Sequence, residues 1–256
     1  MKKIFFSTNF IRGLKINCGF FTKKTAHYNN NYNSLNCNEN FSDDRSHVKL
    51  SIEIAKKKLG LENHYLKLIN QTHSKKVTII NRDNLQYKLE ADGSITQDRK
   101  IALVVLTADC APIFIFDTDV SFVCCLHAGW KGCLSNIIES SLDHILKIQP
   151  DRNKICVVIG PCLDKNNFEV NIDFKNQFID VNKNYKNFFI IHSKKNKNLF
   201  DMRGLINFQF QENHIKNIEN IDLDTYENED LFFSHRRSTH YNSLPARRMV
   251  NIIGFL

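Results

Sequence analysis

The stretch TADCAPIFIFDTDVSFVCCLHAGWKG, Thr107 to Gly132, decides the fold of this chain. Two apolar segments lie within it, Pro112 to Phe116 and Ser121 to Leu126, and the turn-forming residues DTD at 117–119 separate them. Apolar runs joined by such residues are typical of a β-hairpin. We therefore predict a hairpin with a two-residue loop at 118–119.

The hairpin brings two possible metal ligands together. Counting outward from the loop pairs Cys110 with His127, and directly opposed side chains lie ~5 Å apart on one face. A thiolate and an imidazole at that distance can share a metal ion. His73, in the polar segment NQTHSKKV, is the best third candidate. The alternative is that Cys110 is an ordinary buried thiol and His127 a hydrogen-bonded turn histidine.

Two histidines and one cysteine favour a catalytic zinc site, because purely structural zinc sites usually have four protein ligands. The cysteine would bind as a thiolate and the histidines as neutral imidazoles. The second ring nitrogen of each histidine needs a hydrogen-bond acceptor, and Asp92 and Asp109 are the nearest candidates in the sequence. Either aspartate could instead cap a turn.

Composition indicates a soluble globular protein. The chain has 256 residues, 42% hydrophobic content and a net charge of +8. We discount nucleic-acid binding, because the abundant Lys, Asn, Ile and Phe fit an A/T-rich genome. Eight cysteines without a CxxC pair indicate a reducing compartment. Since no apolar run approaches the ~18 residues needed to span a membrane, we expect a cytoplasmic protein.

Strand and helix patterns mix without a regular βαβ order, which favours an α+β fold with a mixed sheet. We expect a single domain, 1–256, with a flexible Lys/Asn-rich segment at about 1–33. A short helix is expected in Phe168–Phe178, and 182–198 is a hairpin or an insertion. The apolar pattern predicts a strand within Ile11–Phe21 and strands at Ile155–Ile159 and Met249–Leu256. It predicts helices ending at Gly60, over Leu134–Ile148 and from Asp201 to about Ile215.

Eight motifs together resemble the YfiH-like family, also called the polyphenol oxidase or laccase-domain family. In chain order they are GFFTKK, NQTHSKKV, ADGSIT, TADCAPI, HAGWKG, IGPCL, DMRGLINFQF and FFSHRRS. The resemblance spans roughly residues 18 to 250. It implies an αββα sandwich with zinc bound at His73, Cys110 and His127.

The resemblance also implies an activity. Family members are similar to purine nucleoside phosphorylases that use phosphate, accept methylthioadenosine and can deaminate adenosine. Older labels call them copper polyphenol oxidases, so Cu²⁺ is a second candidate metal, and one bacterial branch edits peptidoglycan precursors. Two departures bear on the site: Lys131 replaces the arginine of the GW-R-G turn, and Asp224 replaces a common cysteine. Lysine keeps the charge but loses the planar fork that binds phosphate through two hydrogen bonds.

Phosphorolysis requires cations for phosphate and for the developing oxocarbenium centre. Lys131, beside a helix start, and Arg236 are the catalytic candidates, and Arg237 is a further substrate contact. Because adjacent arginines on a strand point to opposite sides, we expect at most one to be catalytic. Asn36 and Gln71 could hydrogen-bond the base or the ribose.

Other functions compete with this hypothesis. A copper polyphenol oxidase would need His-x-His pairs, and the sequence has none. Cys110 could instead be a nucleophile activated by His127, as in cysteine hydrolases. The sequence does not distinguish a nucleoside from a peptidoglycan precursor as substrate, and it leaves the oligomeric state open.

Overall fold

The computed structural model describes residues 4–24, 45–243 and 247–256. Its strands are β1 (Phe5–Phe6), β2 (Ile16–Phe21), β3 (Tyr65–Leu68), β4 (Val77–Ile79), β5 (Gly93–Thr96), β6 (Ile101–Thr107), β7 (Ala111–Asp117), β8 (Val123–Ala128), β9 (Ile155–Ile159), β10 (Glu169–Asn171), β11 (Phe189–Ile191), β12 (Lys197–Phe200), β13 (Asn217–Asn220) and β14 (Met249–Phe255). The α-helices are α1 (Arg45–Lys58), α2 (Trp130–Leu134), α3 (Ile137–Ile148), α4 (Ile172–Val181), α5 (Met202–Glu212) and α6 (His235–His240). Short 3-10 helices occupy Asn9–Ile11, Arg152–Lys154, Lys165–Asn167 and Lys183–Phe188.

Two large mixed sheets form the centre of the fold. One has the strand order β1-β2-β14-β6-β3, and the other has the order β13-β9-β7-β8-β5-β4. Each sheet combines parallel and antiparallel pairs; β3 runs parallel to β6, for example, whereas β14 runs antiparallel to it. A third, three-stranded sheet has the order β10-β12-β11.

Three apolar clusters define the layers. Alternate residues of β7 face opposite ways: Phe114 packs into a cluster with Phe20 of β2, between the large sheets, while Ile113 packs into a cluster with Leu142 of α3. On the outer face of the five-stranded sheet, Ala55 of α1 packs with Ile252 of β14. The order helix, sheet, sheet, helix confirms the expected α+β fold in an αββα arrangement.

The β7–β8 hairpin exists, but the predicted register is wrong by two residues. His127 lies opposite Pro112 rather than Cys110, which falls in the turn before β7. The buried carboxylate of Asp117 explains the difference: it accepts hydrogen bonds from the Ser121 amide at 2.7 Å and the Ser121 hydroxyl at 2.8 Å. This contact stabilises a longer loop, in which Val120 has a positive φ of 58°.

Several predicted helix and strand boundaries also differ. The helix expected over Leu134–Ile148 begins at Ile137, and Leu134 is the last residue of α2. The two helices are separate because Asn136 adopts a left-handed conformation and caps α3 by accepting a hydrogen bond from the Glu139 amide. The segment at Phe168–Phe178 contains β10 before α4 begins. Within 182–198, β11 and the start of β12 form a hairpin. Gly60 ends the α1 region with a φ of +68°, a conformation that favours glycine.

The N-terminal segment is described in part. Residues 4–24 contain β1 and β2, and β2, Ile16–Phe21, is the strand expected within Ile11–Phe21. The remainder of the segment expected to be flexible, 1–3 and 25–33, lies outside the described residues. No helix in the described ranges combines the length and apolar character needed to cross a bilayer.

Candidate metal centre and active site

Three ligand-capable side chains meet at one end of the sheets although they are far apart in sequence. His73 lies in the loop after β3, Cys110 lies in the turn between β6 and β7, and His127 lies in β8. Their ligand atoms all lie within 4.8 Å of one another. Cys110 Sγ is 3.9 Å from His73 Nε2, and the two imidazole centroids are 4.8 Å apart. The structure thus brings together the three candidate ligands.

The carboxylate of Asp92, just before β5, holds both histidines. Its Oδ1 accepts hydrogen bonds from Nδ1 of His127 at 2.8 Å and from the His73 amide at 3.0 Å. Its Oδ2 accepts from the amide and the hydroxyl of Ser74 at 2.6 and 2.8 Å. Because a carboxylate only accepts, Nδ1 of His127 carries its proton and leaves Nε2 as the ligand atom. These contacts also hold His73 at a φ of 57°.

Charge and burial shift three pKa values at this centre. Burial raises the pKa of the Cys110 thiol, but His127 and His73 more than offset this and lower it to about 6. Burial lowers the pKa of His127, while Cys110 and Asp92 raise it to about 9. Burial raises the pKa of Asp92, yet hydrogen bonds from His127 and Ser74 hold it well below its usual range. Without metal, Cys110 and His127 form a thiolate–imidazolium pair near neutral pH.

The donor set and the space around it fit a metal ion. A thiolate and two imidazoles are typical zinc ligands, and Cys₂His and His₃ sites are catalytic precedents for three protein ligands. Gly129 lies at the start of α2 and leaves the centre open. A Cβ at this position would come within 3.0 Å of both Cys110 Sγ and His73 Cδ2. A residue larger than glycine at position 129 would therefore fill the space beside Cys110 and His73.

Asp109 has a different role from the one predicted, because its carboxylate bonds to the C-terminal part of the chain. Oδ1 accepts from the Thr225 hydroxyl at 2.6 Å, and Oδ2 accepts from the Ser234 hydroxyl at 3.0 Å and the Arg236 amide at 2.6 Å. Its own φ is 84°, an uncommon value for an aspartate. Asp109 thus fixes the start of α6 beside Cys110.

A cavity of about 640 Å³ opens beside the three side chains. Trp130, Phe168 and Phe174 form aromatic walls, and the Trp130 and Phe174 rings are 5.0 Å apart. Its polar lining comprises His73, Asp109, Cys110, Glu169, Asn171, Lys197, His235, Arg236, Thr239 and His240. Aromatic walls with a few polar groups are typical of a site for a flat heterocyclic ligand.

The two adjacent arginines lie on a helix, α6, rather than on a strand. Arg236 lines the large cavity; its guanidinium donates to the Glu169 carbonyl at 2.8 Å and lies 5.3 Å from the Phe168 ring centroid. Arg237 is buried and does not line this cavity. It donates to the backbone carbonyls of Thr225, Tyr226 and Phe232 at 2.9, 2.6 and 2.6 Å. Arg237 therefore makes structural hydrogen bonds to the backbone rather than the expected substrate contact.

The remaining predicted residues have different surroundings. Lys131 is exposed on the five-residue helix α2, 5.5 Å from the Trp130 ring, and is absent from the cavity lining. Gln71 exchanges two 2.8 Å hydrogen bonds with the backbone of Leu106, so its amide joins the His73 loop to β6. Asn36 lies outside the described residues.

A second cavity of about 400 Å³ adjoins the same centre. Its lining comprises Ile69, Asn70, Gln71, His73, Leu106, Ala108, Cys110, His127, His235 and Arg248. The sequence reasoning did not assign Arg248 to the site. No local sequence pattern marks it: β14 runs antiparallel to β6 with Met249 opposite Thr107, and this long-range pairing brings the residue just before β14 to the TADC turn.

The fold and the site define a class of protein: an αββα sandwich that carries a cluster of two histidines and one cysteine beside a cavity. The chain belongs to the family described as multi-copper polyphenol oxidoreductase laccase, whose family model matches residues 17–255.

Relatives and solved structures agree with this assignment. The purine nucleoside phosphorylase RP494 of Rickettsia prowazekii is 32% identical over 216 residues, which cover 82% of this chain and 86% of the relative. The purine nucleoside phosphorylase Cj1217c of Campylobacter jejuni is 32% identical over 187 residues, 72% of this chain and 75% of that one. The YfiH protein of Bacillus licheniformis has a TM-score of 0.80 and 25% identity, covering 94% of this chain and 93% of that chain. The Neisseria meningitidis protein NMB0706 shares the fold, with a TM-score of 0.85, 23% identity and 99% of each chain covered.

Proposed function

We propose that this protein is a zinc-dependent purine nucleoside phosphorylase. It converts adenosine, inosine, guanosine or methylthioadenosine and phosphate to the free base and the corresponding sugar 1-phosphate, and it also deaminates adenosine. One observation carries the proposal. His73 and Cys110 line an aromatic cavity, and His127 lies beside them with its ligand atom within 4.8 Å of theirs. The names of the relatives with 32% identity support phosphorolysis.

The residues that would hold the metal are His73, Cys110 and His127. When bound, zinc supplies a Lewis acid and lowers the pKa of water for attack at the purine 6-position. Cys110 contributes a thiolate, which its pKa of about 6 provides at neutral pH. Asp92 keeps the proton of His127 on Nδ1 and thereby directs Nε2 toward the metal position.

The large cavity would bind the nucleoside. Trp130 and Phe174 provide apolar ring faces for a purine, and hydroxyl and amide groups of Thr239 and Asn171 can meet the oxygens of a ribose. The Arg236 guanidinium, oriented by the Glu169 carbonyl, supplies positive charge in the same cavity. Among the two predicted catalytic cations, the contacts favour Arg236 over Lys131, which lies outside the lining.

One observation favours a second candidate function, a hydrolase with Cys110 as nucleophile. The lowered pKa of Cys110 and the raised pKa of His127 are those of an activated thiolate–imidazolium pair. That reaction gives no role to His73, whose Nε2 faces the same sulfur. We therefore rank the metal site first. A Cys110→Ser variant that retains metal but loses turnover would support the hydrolase.

The test is release of free base from adenosine and inosine, measured by chromatography with and without phosphate. Wild-type protein and His127→Ala are compared, with Cys133→Ala as a matched control in the buried core. We expect base and ribose 1-phosphate from wild type and Cys133→Ala only when phosphate is present. Absence of base from the wild type under both conditions would refute phosphorolysis, and equal release by His127→Ala would refute this site.

A further inference from the structure

We propose that the smaller cavity is the phosphate subsite of this enzyme and that Arg248 is its main cationic contact. This inference rests on the proposed phosphorolysis. It adds the binding site of the second substrate, inorganic phosphate. The base and sugar would occupy the 640 Å³ cavity, and inorganic phosphate would enter the 400 Å³ cavity.

The first argument is the arrangement of the two cavities. They share His73, Ala108, Cys110 and His235, and their other lining residues all differ. The large cavity extends to β10, α4 and β12, whereas the small one extends to the ends of β3 and β6 and to the start of β14. Two ligands can therefore approach His73 and Cys110 from separate spaces and meet there.

The second argument is the charge of the two linings. The large cavity contains the carboxylates of Asp109 and Glu169 together with its cations. In the smaller cavity, the described lining residues include Arg248 and three histidines but no carboxylate. Burial lowers the pKa of Arg248 while Cys110 and Asp109 raise it, and a guanidinium remains charged throughout the physiological pH range. An anion is thus better accommodated in the smaller cavity.

The third argument is how firmly Arg248 is placed. It immediately precedes β14, whose residues pair with β2 on one side and β6 on the other. Gln71 closes the same cavity and is held by its two hydrogen bonds to Leu106. A planar guanidinium next to a strand that is paired on both sides can bind two phosphate oxygens at once, whereas the ammonium of Lys131 cannot.

Phosphorolysis requires separate pockets for the phosphate and for the purine base. A phosphate oxygen forms a bond to C1′ of the sugar while the bond from C1′ to the purine nitrogen breaks. The bonding electron pair leaves with the base, which takes up a proton from phosphate or solvent. Because the incoming oxygen and the departing nitrogen lie on opposite sides of C1′, phosphate and base need different pockets that meet at the sugar.

The test measures the two substrates separately in zinc-loaded Arg248→Met, with Arg236→Met for comparison and the exposed Arg82→Met as a matched control. We expect the KM for phosphate to rise roughly 10- to 100-fold in Arg248→Met, because a charge-assisted contact is lost. Adenosine deamination needs no phosphate, so the ratio of phosphorolysis to deamination should fall by a similar factor. Arg248→Lys should recover part of the loss, and the metal content of each variant reports whether it is folded.

A titration with inorganic phosphate, with the heat of binding measured by calorimetry, distinguishes failure of this inference from failure of the proposed function. If wild type releases no base from any nucleoside but binds phosphate and Arg248→Met binds it at least 10-fold more weakly, the anion subsite stands without phosphorolysis. Equal phosphate affinity in wild type and Arg248→Met would overturn the inference, as would loss of phosphate binding in Arg236→Met alone or no binding by wild type.

Discussion

Nδ1 of His127 lies 2.8 Å from Oδ1 of Asp92, and both side chains are buried. The same oxygen accepts the amide of His73 at 3.0 Å. One carboxylate therefore orients the imidazole of His127 and fixes the backbone of His73. The geometry of the three candidate ligands thus depends on a single buried carboxylate, and Asp92 lines neither of the two cavities.

Replacing Asp92 with Asn is expected to weaken zinc binding by about 10- to 100-fold, because an amide cannot accept hydrogen bonds at both of its terminal atoms. Competition with a chromophoric chelator measures the affinity. Ser94→Ala, a buried change in β5, is the matched control. Unchanged affinity in Asp92→Asn would show that the carboxylate does not orient the ligands.

Zinc affinity should fall as the pH falls. Binding requires Cys110 as a thiolate and His127 as a neutral imidazole, and their pKa values in the metal-free protein are about 6 and about 9. Between pH 9 and pH 6, binding displaces a proton from His127, so the apparent Kd should increase about tenfold per pH unit. Below pH 6 the slope should steepen as Cys110 also protonates. A Kd that is constant between pH 6 and pH 9 would contradict the raised pKa of His127.

Gly129→Ala tests the space at the centre. Its Cβ would come within 3.0 Å of Cys110 Sγ and of His73 Cδ2, so we expect reduced metal content in a folded protein. Gly132→Ala is the control in the same short helix, since its Cβ would meet its nearest neighbour, the Ser74 carbonyl oxygen, at 3.4 Å. Full metal content in Gly129→Ala would mean that the ion binds elsewhere.

Arg237 and Arg236 should behave differently despite being neighbours. Arg237→Met leaves three buried backbone carbonyls without their donor, and it should lower the free energy of unfolding by about 2–4 kcal/mol. Arg236→Met should be less destabilising and should mainly raise the KM for the nucleoside, because that side chain lines the large cavity. Chemical denaturation and steady-state kinetics distinguish the two. Equal destabilisation by both substitutions would contradict a structural role for Arg237 and a substrate-binding role for Arg236.

Periodicity and turn chemistry were sufficient to predict the hairpin, the α3 pattern and the α+β class. The hairpin register was wrong because the local turn residues do not reveal that Asp117 accepts hydrogen bonds from Ser121 across a longer loop. The two-residue shift preserved the face of each side chain, since side chains alternate with a period of two. Cys110 itself lies in the turn before β7, and this turn brings its thiol to within 4.8 Å of the His127 ligand atom.

The candidate ligands could be chosen from sequence, but the roles of the surrounding polar residues depend on long-range contacts. From the sequence, Asp92 and Asp109 were both predicted to accept a hydrogen bond from a histidine ring. Asp92 accepts one from His127, whereas Asp109 accepts hydrogen bonds from Thr225 and Ser234. The position of Arg248 depends on the pairing of β14 with β6, which no local pattern specifies. The contacts of Arg237 likewise come from residues up to 12 positions away.

The most direct test of the central claim is elemental analysis of the purified protein together with His73→Ala, Cys110→Ser and His127→Ala. Cys162→Ser, a buried cysteine outside the candidate ligand set, is the control. We predict one zinc ion per chain in the wild type and in Cys162→Ser, and loss of zinc in each of the other three variants. Stoichiometric zinc in Cys110→Ser, or a wild-type protein that binds copper in preference to zinc, would contradict the account.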